Sequence, residues 1–279
     1  MRVIAEIMEQ QPLSHPARDV WWMCLKAPSV AAQAQPGQFI MLKLGHTTPH
    51  PLGRPFSIAG VNDEYIFLLY KQKGAITDLM PHLNEGAKVI LWGPLGHGFD
   101  LRDDKTPLLL IAGGAGIAPM LFTWQRFSNA ALLAGFADWH NFNRLSVILR
   151  ELRRFSPPIP AGPDTLLTPE SVYITNLSPY WSAGSGLVTD PLLNPQNSGF
   201  IKNHNSVLTC GPWPMMKRVA AISREYGISC QIAAESPMAC GLGVCMGCAL
   251  PAAQGDYLYL CKHGPALQAE ALDWNRLCL

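Results

Sequence analysis

Four cysteines stand close together near the end of the chain: Cys240, Cys245, Cys248 and Cys261, within ESPMACGLGVCMGCALPAAQGDYLYLCKHGP from Glu235 to Pro265. The first three are spaced C-x4-C-x2-C, and the fourth follows after twelve further residues. Three thiolates from one loop and a fourth from beyond it form the plant-type ligand order of a [2Fe–2S] cluster. Gly241, Gly243 and Gly247 let that loop take positive φ and turn amide N–H groups toward sulfur. Other chemistries also use cysteine. Structural zinc usually takes two short C-x2-C knuckles, and this stretch has one. A disulfide pair suits an exported chain, and core cysteines need no such spacing. The spacing favours iron and sulfide, with zinc as the alternative.

A second group of residues could bind a nucleotide. Arg54-Pro55-Phe56-Ser57 sets a cation and a hydroxyl on either side of a rigid turn that enters a strand. Arg offers a planar fork of donors to a phosphate, and Ser can hydrogen-bond a ring or phosphate oxygen. Leu69-Tyr70-Lys71 then leads to Gly74-Ala75-Ile76-Thr77 and to Asp78-Leu79-Met80, which reads as a helix start and so as a phosphate cradle. RPxS is weak alone; with the Tyr-Lys strand and the Thr-bearing turn it points to a flavin ring and pyrophosphate. A third group is Gly113-Gly114-Ala115-Gly116 after the apolar run Leu108–Ala112, with Cys210-Gly211-Pro212 after another apolar run. Glycine turns at strand ends are where parallel sheets bind ligands, so Gly113, Gly114, Gly116, Cys210, Gly211 and Pro212 are candidates for a nicotinamide site. They do not spell the G-x-G-x-x-G fingerprint, and a structural turn before a helix is the plain alternative.

The elements that must hold these groups are legible in part. Val20–Lys26, Gln38–Leu44, Phe56–Val61 and Tyr65–Tyr70 are rich in β-branched and aromatic residues and are punctuated by Pro36-Gly37, Pro49 to Gly53, Asn62-Asp63 and Gly93-Pro94. Closely spaced strands of this kind predict a small antiparallel barrel. Strands predicted at Leu108–Ala112, Ala131–Phe136, Val172–Thr175 and Val207–Cys210 alternate with helices through Phe127, near Arg144–Phe155 and over Met215–Tyr226. That alternation predicts a parallel α/β domain. The Pro-rich stretch from Phe155 to Pro169 reads as a surface loop. The expected architecture is therefore multidomain: a barrel over 1–103, a parallel-sheet nucleotide-binding domain over 104–230 and a cysteine-bearing lobe over 231–279.

Composition limits the partners. With 279 residues, a net charge of +1 and 15% charged residues, the chain has no basic footprint for nucleic acid. Sparse charge fits either a large core or a surface covered by another subunit. MRVIAEIMEQ lacks the layout of a signal peptide, and the longest apolar run, Leu108 to Phe122, is too short and too broken for a membrane span. Scattered Cys24, Cys210, Cys230 and Cys278 suit a compartment that keeps thiols reduced. A cytoplasmic protein is expected.

Taken in order, RPFS, LLYK…T, LWGPLGHGF, AGGAGIAPM, GLVTD, CGPWPM and ACGLGVCMGC…CKHGP resemble the electron-transfer subunits of NAD-linked, two-subunit dihydroorotate dehydrogenases, within the wider ferredoxin-reductase group of flavoproteins. The likeness runs from about Glu6 to Trp274. It implies an FAD-binding barrel, a domain for NAD(H) and a [2Fe–2S] lobe. It further implies a separate FMN-containing catalytic subunit in a hetero-oligomer, and a place in pyrimidine biosynthesis. Arg54–Ser57, Leu69–Lys71 and Ile76–Thr77 would hold FAD, and the four cysteines the iron. Such an oxidoreductase component would need its partner for substrate turnover. Small subunits of hydrogenases, sulfide dehydrogenases and transhydrogenases share this plan, and a shuttle without NAD or a zinc-bearing nucleotide module are the remaining alternatives. The chain departs from the family pattern at three places. Ile76 stands where glycine is usual, His263 replaces the aspartate of CKDGP, and Thr175-Asn176-Leu177-Ser178 replaces a segment rich in carboxylates that would contact a ribose hydroxyl.

Overall fold

The computed structural model describes residues 1–13, 19–45, 52–101, 107–127, 129–136, 172–176, 187–193 and 201–277. Six antiparallel strands close a barrel in the order β1-β2-β5-β4-β3-β6. They are β1 (Arg2–Pro12), β2 (Val20–Lys26), β3 (Phe39–Leu44), β4 (Arg54–Asn62), β5 (Tyr65–Lys71) and β6 (Lys88–Leu95). Their sequences do not simply alternate polar with apolar, and the packing gives the reason. In β5, Ile66, Leu68 and Tyr70 face the barrel interior, while Phe67 and Leu69 join a second core shared with the neighbouring domain. In β2, Met23 and Leu25 point inward, whereas Trp22 and Cys24 enter the shared core. Strands buried on both faces read as continuous apolar runs.

Five parallel strands, β7 (Leu108–Gly113), β8 (Ala130–Phe136), β9 (Val172–Asn176), β10 (Ser206–Cys210) and β11 (Ser229–Ala233), form the second sheet. The antiparallel edge strand β14 (Ala266–Gln268) completes the order β14-β11-β10-β7-β8-β9. One face is packed by helix α2 (Ile117–Arg126), after the short α1 (Pro28–Ala31) of the barrel. Helices α3 (Asp190–Leu193) and α4 (Trp213–Glu225) follow, and Val219, Ala220 and Ile222 of α4 cover the core of the other face. β7 supplies both cores, Leu108 and Leu110 on one side and Leu109 and Ile111 on the other. The last segment folds as the hairpin β12 (Ala249–Pro251) and β13 (Tyr257–Tyr259), then α5 (Leu260–His263), before β14.

Two glutamines bind barrel to sheet. Gln125 of α2 accepts from the Val61 N–H at 3.0 Å and donates to the Val61 carbonyl at 2.8 Å. Gln231 of β11 does the same with Asp100, at 2.8 and 3.0 Å. A primary amide matches one residue's N–H and C=O at once, so each clamp satisfies backbone groups that would otherwise be stranded at the junction.

Several expectations change in detail. β1 and β6 close the barrel although neither was expected as a strand, and Gly93-Pro94 lies inside β6 instead of ending a strand. Asp78-Leu79-Met80 does not start an α-helix. It is a turn followed by a 3-10 helix over Met80–His82, a short form that Pro81 and the turn at Asn84–Gly86 do not allow to grow. β11 was not anticipated either, being only five residues with a polar Gln at its centre. The helix expected near Arg144–Phe155, the Pro-rich loop from Phe155 and residues Leu177-Ser178 lie outside the described residues. Among the described residues, no helix is long and apolar enough to cross a membrane.

Candidate functional site

A cleft of about 430 Å³ opens where barrel, sheet and C-terminal segment meet, a size and a mostly apolar lining that suit a flat cofactor ring. Pro55, Phe56 and Ser57 of β4 and Leu69, Tyr70 and Lys71 of β5 form its barrel wall. Six residues expected to hold a flavin are thus brought together. Phe56 and Tyr70 meet edge to face at 6.1 Å. The Tyr70 hydroxyl donates to Gln10 Oε1 at 3.3 Å, and burial pushes that phenol well above its ordinary range. Arg54, Gly74, Ile76 and Thr77 are not part of the lining. Ile76 is buried in the barrel core, so its side chain serves packing. Thr77 Oγ1 accepts from the Lys73 N–H at 2.8 Å and donates to the Gly74 carbonyl at 3.0 Å, so this turn satisfies part of its own backbone.

Phe39 of β3 adds to the barrel wall, and the opposite wall is formed by Ala115, Ala118, Trp213 and the run Ala234 to Met238, none of them proposed as site residues from the sequence. Glu235 carries the titratable group among them. It reaches solvent at the cleft mouth, yet the protein around it desolvates the carboxyl and raises its pKa, an effect the Lys73 ammonium partly offsets. Glu235 follows the C-terminal end of β11, where a parallel sheet binds ligands, but that strand is not legible in the sequence and so gave no signal for it. Cys210, at the end of β10, is fully enclosed, and burial together with the Glu235 charge holds its thiol protonated.

Gly113, Gly114, Gly116, Gly211 and Pro212 form an interlocked corner beside this wall. A Cβ on Gly116 would lie 2.4 Å from the Cys210 carbonyl oxygen, and one on Gly113 would lie 2.7 Å from Met215 Sδ and 2.8 Å from Pro212 Cδ. Gly114 differs. It has φ +55° and open space where a side chain would be, which leaves a bare backbone surface for a ligand.

The four cysteines come together in one loop and the start of α5. Cys248 and Cys261 are buried, with their sulfurs 3.3 Å apart. Cys245 is the thiol that acts on Cys240, helping to hold it below its ordinary range. Amide N–H groups point inward, Leu242 to Cys240 Sγ at 3.3 Å and Gly243 to Cys261 Sγ at 3.0 Å. Burial alone would raise the Cys240 thiol, but N–H groups of Cys245, Leu242 and Val244 outweigh it and bring the pKa down to about 6. Burial and the neighbouring Cys248 instead push Cys261 up. Among the described residues, no three His, Cys, Asp or Glu side chains converge on a single ion. Two thiol pairs with inward amides fit two irons, each taking two thiolates, better than one tetrahedral zinc.

This loop is docked on the barrel. Gly241 has φ +69°, and a Cβ there would lie 2.6 Å from Met41 Cγ. Behind it, the Gly264 carbonyl accepts from the His97 N–H at 2.6 Å, so the CKHGP tail is sewn to the LGHGF turn after β6. The side chains between the cysteines point out: Leu242, Val244 and Met246 are 63%, 78% and 59% exposed.

Residues 235–273 match the family described as the iron-sulfur cluster binding domain of dihydroorotate dehydrogenase B. The dihydroorotate dehydrogenase B (NAD(+)) electron transfer subunit of Caldanaerobacter subterraneus is 30% identical over 239 residues, covering 84% of this chain and 85% of that protein. The chain belongs to this family of electron transfer subunits. The Bacillus velezensis member is 29% identical over 272 residues, covering 93% of this chain and 95% of that one. Solved structures share the fold at lower identity. The NADH-dependent reduced ferredoxin-NADP oxidoreductase matches 99% of this chain and 91% of its own with TM-score 0.74 and 21% identity. A ferredoxin NADP+ reductase from Neisseria gonorrhoeae with bound FAD and NADP matches 81% and 92% with TM-score 0.59 and 16% identity.

Proposed function

We propose that this family member is the electron-transfer subunit of a two-subunit dihydroorotate dehydrogenase, an oxidoreductase component carrying FAD and a [2Fe–2S] cluster and exchanging electrons with NAD(H). Its division would be barrel 1–103, nucleotide domain 104–230 and cluster lobe 231–279. The observation that carries the reading is the pairing of four thiols in a loop packed directly on the barrel that walls the cleft. FAD would supply the conversion between two-electron and one-electron chemistry, and the cluster the one-electron relay.

The chain's own residues have distinct tasks in this reading. Pro55, Phe56, Ser57, Leu69, Tyr70 and Lys71 flank the ring and keep water from one side of it. Arg54 would supply the cation for the pyrophosphate from the strand's first residue, and Gly74, Ile76 and Thr77 the turn that receives it. Gly114, with Gly113, Gly116, Cys210, Gly211 and Pro212 as its frame, offers the backbone surface for a nicotinamide nucleotide. Glu235, holding its proton more tightly than an ordinary carboxyl, is placed to hydrogen-bond a neutral amide at the cleft mouth. Cys240, Cys245, Cys248 and Cys261 hold the iron. Leu242, Val244 and Met246 surround the cluster with apolar side chains, a surface suited to burial under the catalytic subunit. The described cysteines outside the cluster loop, Cys24, Cys210 and Cys230, are buried free thiols, which supports a cytoplasmic setting.

The test is reconstitution with an FMN-containing dihydroorotate dehydrogenase subunit. Orotate formation coupled to NAD+ should need both chains, and Val244→Asp should weaken their association while leaving cofactor content unchanged. NAD+-coupled turnover by the catalytic chain alone would contradict the assignment.

A further inference from the structure

Trp92 touches both halves of the site. It lies in β6, paired with Arg2 of β1 and Met41 of β3. Its indole Nε1 donates to the backbone carbonyl of Cys240 at 3.1 Å. The far edge of the same ring covers Gly53, where a Cβ would stand 2.5 Å from Cη2. Gly53 immediately precedes Arg54, the first residue of the strand that walls the cleft. One rigid side chain therefore spans from the residue entering the flavin wall to the first cysteine of the cluster loop. A phenylalanine or leucine could fill the space over Gly53, but neither carries a donor for the Cys240 carbonyl.

We infer that Trp92 is a positioning residue that fixes Cys240, and with it one side of the cluster, relative to the flavin wall. The inference rests on the reading of the four cysteines as cluster ligands and of the cleft as the flavin site. Its physical basis is that partners of the ligating residues orient them and set the electronic character of the metal centre. The donated hydrogen bond also polarises the Cys240–Gly241 peptide beside the sulfur. Met41, Trp92's neighbour in register, presses on Gly241 from the same side, so the loop has one seat.

The experiment compares three anaerobically purified full-length chains with cofactors bound: wild type, Trp92→Phe and Trp92→His. The Phe variant keeps an aromatic ring and loses the donor; the His variant keeps an N–H on a five-membered ring and gives up the contact with Gly53. Iron, sulfide and flavin contents are measured first, then the electron paramagnetic resonance spectrum and midpoint potential of the reduced cluster. The rate of electron arrival at the cluster after flavin reduction is measured last. The expected result is near-normal contents in the Phe variant with a changed spectrum and potential and about tenfold slower arrival. The His variant should return spectrum and rate toward wild type. A Phe variant identical to wild type, or Phe and His variants altered equally, would overturn the inference. Should the Phe variant lose its cluster, retention by the His variant supports the donor's role and equal loss overturns it. Wild-type protein without iron and sulfide would instead overturn the functional reading, so the two failures are separable.

Discussion

The cluster loop and the corner at Gly113–Gly116 are both rich in glycine, yet for different reasons. In the cluster loop, Gly241 and Gly243 have φ of +69° and +77°, and the Gly243 amide points at a sulfur. A Cβ on Gly243 would meet only the Lys262 side chain, at 3.5 Å or more. At Gly243 the backbone conformation, not space, demands glycine, whereas at Gly241 both do, since a Cβ there would also strike Met41. In the corner, Gly116 is required because the chain passes against its own backbone at Cys210. Only Gly114 there combines a positive φ with open space. Glycine density alone therefore says little about ligands; what each missing Cβ would strike says much more.

The largest effect that would break this contrast is at the thiols. Cys248→Ser should abolish most of the cluster's visible absorbance and iron content while flavin binding and thermal stability of the rest change little. Loss of flavin as well would mean that the two regions are not independent. Gly116→Ala should act in the opposite sense. Its Cβ strikes a backbone oxygen that cannot swing away, so overpacking should cost about 1–3 kcal/mol of stability, read by denaturant unfolding, with iron per folded chain preserved. Gly243→Ala should cost about 1 kcal/mol for the left-handed conformation and lower iron loading, because its amide would leave Cys261.

The smallest effect concerns Glu235 and pH. Its folded pKa is raised above the unfolded value, so the folded state holds this proton more tightly. Stability from this group is therefore greatest below the unfolded pKa and falls as pH rises through the folded one. Glu235→Gln should remove that dependence, leave stability at pH 7 unchanged or slightly higher, and erase the matching inflection in the rate of flavin bleaching by NADH. An inflection that persists in the Gln variant assigns it to another group.

The sequence made the cluster loop the most legible part, because ligand spacing lies within one stretch and the structure brings those four thiols together. The strands β2 to β5 were legible because β-branched and aromatic residues crowd both of their faces. β1 was not, since its Glu and Gln positions dilute the pattern, and β6 was hidden by Gly93-Pro94, which reads as a turn in isolation. The cleft was legible only on its barrel wall. Trp213 and Glu235 join it from two separate segments, and their meeting with the barrel wall depends on the clamps at Gln125 and Gln231 that set the sheet against the barrel. Ile76 illustrates the converse: it marks the expected phosphate turn by position, but its side chain is a core residue.

The most direct measurement is the visible spectrum of the anaerobically purified chain, with iron, sulfide and flavin assayed together, before and after NADH is added. The account predicts flavin and iron–sulfur bands, two irons and two sulfides per chain, and prompt bleaching of both chromophores. A colourless protein holding zinc at Cys240, Cys245, Cys248 and Cys261 would contradict it.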